Sequence, residues 1–349
     1  LYKRQIRRTI GVDDFYYDLK FNGKQINMDS SLNRNEENIM SNNNNMVCDL
    51  KTGVCGVAGE EDMEIIEFNQ SSKAVNLYYV TDPICSHCWA LEPVLRRFVE
   101  QYGHYFNFHT IMGGLLEKWH DGPIDPANGI HKPADVAVHW REVGEYSRMP
   151  IDGSLMIDNP VQSSYPPSRV FKVIQKNYTD ATAAEYLRRS REALFAFNQN
   201  IAEKSVMIEI VNKLGLDGKA VINEAEQQVG LQLLHEDFDQ VRSLGVRGFP
   251  TIVMTNTENN GVKIVGSRSL EYYVNGLKKV LNLEELQAKP IPSLSSLFEK
   301  EKLLFSKEIE VMYDVEQSDI KSFIEQELPT DRYQVNEILG ELYITTTTN

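Results

Sequence analysis

A chain of 349 residues, 42% hydrophobic and 25% charged, can bury one large core or two of medium size. Its 36 basic against 50 acidic residues leave a formal charge of −14, which argues against nucleic acid or an anionic membrane as a partner. No apolar run approaches the roughly 18 residues of a membrane span, and four cysteines are too few for a disulfide scaffold.

Lys3, Arg4, Arg7 and Arg8 imitate the basic start of a signal peptide. Asp13, Asp14, Asp18 and Lys20 interrupt the apolar stretch that should follow, so the expected compartment is the cytoplasm. Residues 1–45 show little apolar periodicity and end in Ser41-Asn42-Asn43-Asn44-Asn45. They are expected to be a disordered extension, or to lie upstream of a start at Met40 or Met46, with a short helix or hairpin around 15–21 as the alternative. Order is expected from Val47, first as a polar, turn-like stretch between Cys48 and Cys55.

Residues 74–80 read as a buried strand, short and β-rich, bounded by Ser72 and Asp82-Pro83. A helix starts close to Cys85, with Trp89, Leu91, Val94, Leu95, Phe98, Val99 and Tyr102 on a broad apolar face. A second strand over 106–112 ends at Gly113-Gly114, and strand–helix–strand suggests a parallel unit. The next stretch is helical, with segments at 133–148, 166–178, 180–198, 203–214 and 217–229. Pro166-Pro167-Ser168 fits a helix start. Strands return at 250–254 and 262–265 around a turn at 256–261, and a helix over 269–281 closes the unit. The expected class is α/β: a sheet domain in two parts, 46–112 and 246–283, split by a helical insertion over 113–245. Pro290-Ile291-Pro292 marks a linker over 284–293. Residues 294–349 should form a small α+β module: helix 294–305, strand 309–313, helices 317–328 and 334–340, strand 342–347. That order is compatible with a winged-helix-like unit, too small to stand alone and expected to dock on the main domain or a partner.

The sharpest chemical feature is Cys85-Ser86-His87-Cys88, placed between a buried strand and an amphipathic helix. A thiolate at a helix start is stabilised by unpaired backbone N–H groups and the helix dipole. Cys85 is expected to be the more exposed thiol and the nucleophile, with Cys88 resolving the mixed disulfide and His87 lowering the Cys85 pKa. Structural zinc uses the same spacing, but the strand-to-helix setting favours redox work. The second feature is Gly245-Val246-Arg247-Gly248-Phe249-Pro250-Thr251. If Phe249–Pro250 is cis, the Phe249 backbone can lie beside the cysteines and receive a substrate strand; otherwise the motif is a strand-entry turn.

Cys85-Ser86-His87-Cys88-Trp89 after a strand, a helical insertion, and Gly-Val-Arg-Gly-Phe-Pro-Thr before the last hairpin resemble DsbA-family thioredoxin-like proteins. The resemblance is nearest to the cytoplasmic FrnE-like and YjbH/SpxH-like members, and it spans about residues 46–283. It implies a thioredoxin-like sheet and a site built from Cys85, Cys88 and Pro250, with no dissociable cofactor and no metal. Ser86 stands where DsbA has proline, which alters the redox potential but not the thiol chemistry. The implied activity is dithiol–disulfide exchange, as oxidoreductase or isomerase, on a protein or small thiol. Relatives of the YjbH/SpxH type instead act as adaptors that deliver Spx to ClpXP, and fold membership does not separate the two.

Cys48 and Cys55 allow several readings: a second redox disulfide, a resolving relay, a four-cysteine zinc site with Cys85 and Cys88, or two ordinary thiols. His104, His109, His120, His131, His139 and His235 show no tight metal spacing. Trp89, Trp119 and Trp140 suit a core, though Trp89 adjoins Cys88 and can border a substrate site.

Overall fold

The computed structural model describes residues 75–347 apart from 121–123, 125–128 and 259, and five short strands upstream of them. Two of these, β1 (Asp18–Phe21) and β2 (Lys24–Asn27), pair antiparallel within a unit of their own, Leu1–Asn44. The remainder of the expected N-terminal extension lies outside the described residues. The other three are β3 (Val47–Asp49), β4 (Val54–Gly56) and β5 (Met63–Glu67).

The strand–helix–strand unit is present as β6 (Val75–Thr81), α1 (Ser86–Tyr102) and β7 (Phe106–Met112), with β6 and β7 parallel. Parallel neighbours require a crossover connection, and α1 supplies it. Seven helices follow: α2 (Pro133–Ser147), α3 (Leu155–Asp158), α4 (Tyr165–Asn177), α5 (Asp180–Arg191), α6 (Lys204–Lys213), α7 (Gly218–Glu226) and α8 (Gln228–Ser243). A π-helical turn over Glu192–Ala196 continues α5. Pro166 and Pro167 sit in the first turn of α4, where a missing N–H costs no helical bond.

The chain then returns as β8 (Gly248–Phe249), β9 (Thr251–Thr255), β10 (Asn260–Val265) and α9 (Leu270–Leu281). The main sheet runs β5-β10-β9-β6-β7, and only its β6–β7 pair is parallel. Its core joins Leu77 and Tyr79 of β6, Phe98 of α1, Ile252 and Met254 of β9, Ile264 of β10, and Tyr273 and Leu277 of α9. A separate, larger core fills the helical region around Trp140, Phe171, Tyr186 and Phe195. A second, small sheet runs β3-β4-β8.

Beyond Pro290-Ile291-Pro292 come α10 (Leu294–Glu301), β11 (Leu303–Phe305), α11 (Ser306–Tyr313), α12 (Ile320–Glu327), β12 (Tyr333–Ile338) and β13 (Glu341–Thr346). The antiparallel sheet order is β11-β13-β12, which gives the winged-helix-like topology. Two element types differ from the sequence expectation. The strand expected over 309–313 is helix α11, because Glu308 reaches back to accept the Phe305 N–H (3.0 Å) and Ile309 and Met312, three apart, are buried. The five residues Ile309-Glu310-Val311-Met312-Tyr313 are too few to distinguish the two periods. The helix expected over 334–340 is the hairpin strand β12, turned by Leu339 (φ 52°) and Gly340 (φ 80°). Two consecutive positive φ values make a tight hairpin turn, but Leu-Gly lacks the usual Asn-Gly signature.

The module docks on the main domain. The Arg188 guanidinium lies over the Trp89 ring (4.8 Å) and near Phe305 (5.7 Å), and donates to Glu308 at 2.7 Å. Arg148 forks onto Glu310 and Glu341, and Arg97 onto Asp314. Arginines of α1 and α5 and the C-cap arginine of α2 thus meet acids of the module, a use for acidic residues that net charge conceals.

Candidate functional site

Cys85 is the N-cap of α1, in extended conformation (φ −80°, ψ 109°), and its Sγ accepts the Cys88 N–H at 3.2 Å. The approach to the helix is tied down by Asp82. Its carboxylate accepts from Ile84 N (3.0 Å), Leu115 N (2.7 Å) and Ser164 Oγ (2.8 Å), while its carbonyl accepts from Cys85 N (3.2 Å). One buried carboxylate therefore joins the cysteine loop, the end of β7 and the start of α4.

Both thiols are free, and neither is exposed at all. The expectation of an exposed Cys85 is corrected here. The thiols belong to a small buried cluster with Val80, Ile111, Val246, Phe249 and Val253. Burial pushes the Cys85 thiol well above its ordinary value, and the adjacent Cys88 adds to the rise. For Cys88, burial is outweighed by the hydrogen bond with Cys85 and by Arg191, so its pKa falls. Two thiols this close cannot both ionise easily, so the pair holds its first negative charge at Cys88.

Arg191 is the residue that sequence reasoning missed. It is fully buried, forms an ion pair with Glu92, and donates to Thr81 Oγ1 and to the Asp82 carbonyl (3.0 Å). Its positive charge acts on both thiols. The available signal was the run Arg188-Arg189-Ser190-Arg191 in an acidic chain, read as an ordinary helix segment. His87, the residue assigned to thiol tuning, is buried with its ring edge-on to His139 (centroids 5.6 Å).

The Phe249–Pro250 bond is cis. Phe249 packs in the thiol cluster, and its ring occupies the space that a side chain at Gly113 would need. Trp89 does not border a substrate surface. It is wholly buried, donates Nε1–H to the Pro150 carbonyl (3.1 Å), stacks on Phe195 (6.0 Å) and meets Phe305 edge-on (5.7 Å). The adjacency to Cys88 misled because helical neighbours point about 100° apart. Cys48 and Cys55 are register partners across β3 and β4, and Cys55 is also the register partner of Phe249. Among the described residues, no group of three or more His, Cys, Asp or Glu side chains could hold a metal ion, and no helix is long and apolar enough to cross a membrane.

A mixed sheet with a Cys-x-x-Cys pair at the first helix start and a proline-led strand beside it defines a thioredoxin-like dithiol protein. The chain belongs to the thioredoxin family, whose model matches residues 78–275. It is 29% identical over 275 residues to the ClpXP adapter protein SpxH of Halalkalibacterium halodurans, covering 77% of this chain and 87% of the relative. To the ClpXP adapter protein SpxH of Bacillus subtilis it is 28% identical over 253 residues, covering 71% and 81%. The fold is shared with a Nitrosomonas europaea protein provisionally described as a protein disulfide isomerase. That match has a TM-score of 0.50 and 18% identity, and covers 60% of this chain and 97% of that one.

Proposed function

We propose that this chain is a cytoplasmic adaptor that binds a client protein, Spx by analogy with the relatives' name, and presents it to the ClpXP protease. The observation that carries this reading is the complete burial of both thiols. A catalyst working on outside disulfides needs a reachable thiolate, whereas an adaptor needs only a stable binding scaffold. The raised Cys85 pKa points the same way, and the relatives named above are ClpXP adapters. The test is degradation of Spx by ClpXP with the full chain added. Faster degradation is expected, equally with wild type and a Cys85→Ser, Cys88→Ser double variant. A double variant without effect, together with wild-type reduction of insulin well above free-thiol background, overturns it.

The second reading is dithiol–disulfide exchange, in which Cys85 attacks a protein disulfide, Cys88 resolves, His87 tunes the pair and the Phe249-Pro250 backbone holds the substrate. Two observations favour it: the helix-cap position of Cys85 and the buried positive charge of Arg191 against the pair. An alkylation series against pH tests it, since this reading requires the thiolate to form only when the covering cluster opens.

A further inference from the structure

The strand β8 is only Gly248–Phe249, yet it is paired on its outer side by this chain's own β4. The register is specific: Cys55 stands opposite Phe249, and Cys48 stands opposite Cys55. Directly opposed residues of antiparallel strands share one face of the sheet. Cys48, Cys55 and Phe249 therefore occupy one row, stepping across β3, β4 and β8 at about 4.8 Å per strand. The face at the end of that row is known from Phe249 itself, whose side chain packs in the buried cluster that holds Cys85 and Cys88. The register thus sets Cys55 opposite the strand position whose own side chain packs with Cys85 and Cys88, although Cys48 and Cys55 lie outside the residues matched to the thioredoxin family.

We propose that Cys48 and Cys55 are an internal substrate of the Cys85–Cys88 pair, exchanging a disulfide with it through a Cys55–Cys85 mixed disulfide. This rests on the pair being competent for exchange, the second reading above. The burial that argues against an outside substrate does not argue against this one. No external strand has to reach the sealed thiols, because β4 is already seated on β8.

The oxidant is a low-molecular-weight disulfide such as oxidised glutathione, which forms the Cys85–Cys88 bond when the covering cluster opens, as the second reading requires; from there the electrons balance within the chain. The Cys55 thiolate, its proton released to solvent, attacks the Cys85 sulfur. The Cys55–Cys85 bond forms, and Cys88 leaves as a thiolate, a departure that its lowered pKa assists. The Cys48 thiolate, also deprotonated, then attacks the Cys55 sulfur. Cys48–Cys55 forms, and Cys85 leaves and takes up a proton, consistent with its raised pKa. Two electrons pass from the hairpin pair to the helix pair. The hairpin is well suited to receive the bond, since a disulfide needs Cα atoms within about 7 Å and directly opposed strand positions are about 4.5–5.5 Å apart.

The test uses the full chain carrying Cys48→Ser and Cys88→Ser, equilibrated in oxidised glutathione, digested without reductant and mapped by mass spectrometry. The expected product is a Cys55–Cys85 linked peptide, in about tenfold excess over the glutathione adducts of Cys55 and Cys85, because pairing on β8 raises the local thiol concentration. Recovery of Cys55 and Cys85 only as separate glutathione adducts overturns the inference. Wild-type protein is mapped in the same buffers, so the result does not depend on variant folding. There, Cys48–Cys55 is expected to appear alongside Cys85–Cys88 and to be lost in Cys85→Ser. Wild-type protein that forms Cys85–Cys88 but never Cys48–Cys55 refutes the internal substrate alone. If Cys85–Cys88 never forms, exchange itself fails. One zinc per chain, with all four thiols silent until chelation, also overturns it.

Discussion

Glu308 should control whether the winged-helix-like module stays docked. Its side chain is 1% exposed and accepts from Arg188 (2.7 Å) and from Phe305 N (3.0 Å), with Arg96 at 3.5 Å. Glu308→Ala removes the acid and leaves the rest. Arg188 keeps Glu192 (2.7 Å) and Arg96 keeps Glu301 (3.4 Å), so neither cation is stranded completely. Breaking a buried pair from one side costs about 3–5 kcal/mol, and the surviving partners place this case near 3 kcal/mol. That corresponds to about a hundredfold rise in the undocked population. Glu-C cleavage after Glu285, in the exposed segment before the module, reports that population, and urea unfolding reports the free energy. An Arg188→Met, Glu308→Leu double variant should recover most of the loss. Glu192 retains Arg189 (2.8 Å), and an apolar pair suits the Trp89–Phe305 setting. Burial pushes the Glu308 carboxyl up, but Arg188 and Arg96 prevail and hold it below the ordinary carboxylate value. The folded pKa is depressed, so this stabilisation is present above the unfolded value of about 4.3 and is lost as pH falls through the folded value. The difference between wild type and Glu308→Ala should therefore close in acid. A loss below about 1 kcal/mol with unchanged cleavage refutes the reasoning.

Three further outcomes follow from the site. Trp89→Ala should destabilise by about 3–5 kcal/mol in urea, as expected for a buried tryptophan, while Spx delivery per folded molecule is unchanged; a cost below about 1 kcal/mol contradicts a core role. Gly113→Ala builds a Cβ about 2.0 Å from Phe249 Cε1, so the ring must move, at about 1–3 kcal/mol, and the Cys85 alkylation rate should rise as the cluster loosens; an unchanged rate and melting point exclude that packing. Arg191→Met should move the first thiol titration upward in a pH series of iodoacetamide labelling, since the burial cost then lacks its opposing charge; no upward movement means that Arg191 does not hold the thiolate.

The parts of the fold that were legible in the sequence are those with a local cause. The strand expected over 106–112 is β7 at the same bounds, because an aromatic and β-branched run ends at Gly113-Gly114. The helix start at Cys85 follows from the polar loop after β6 and the apolar face of α1. Strand β5 escaped notice: Met63–Glu67 mixes charge with apolar residues and gains its identity only by pairing with β10. Helix α8 received no segment of its own: the expected 217–229 covers α7 and runs only two residues into α8, across a break at Gln227 that neither Gly nor Pro marks. Within the site, Cys85, Cys88, Phe249 and Pro250 were legible as motifs. Arg191 was not, since nothing in its own helix marks it as the arginine that reaches Glu92 and the Asp82 carbonyl. The burial of Cys85 was equally hidden, because the residues of its cluster come from β6, β7, α8, β8, β9 and the loop before β8.

The choice between adaptor and enzyme turns on a variant that must stay folded, and Arg191 explains why the Cys85→Ser, Cys88→Ser chain should do so. Arg191 has two roles. It stitches α5 to α1 and to the end of β6 through Glu92, Thr81 and the Asp82 carbonyl, and it sets a positive charge against the thiols. Removing the thiols withdraws only the second. The hydroxyl that Cys85→Ser introduces can still accept the backbone N–H of position 88 as helix cap, since serine is a preferred N-cap residue, and Asp82 keeps its three donors. The hydroxyls are smaller and more polar than sulfur in a sealed cluster, so a cost of about 1–2 kcal/mol is expected. That is well short of the roughly 5–15 kcal/mol that holds a domain together. A melting curve that remains cooperative, lowered by several degrees, is the expected control. A double variant that aggregates or melts without cooperativity would mean that the dithiol is part of the core, and the client-delivery comparison would then pass to the single Cys88→Ser chain, which keeps the Cys85 cap.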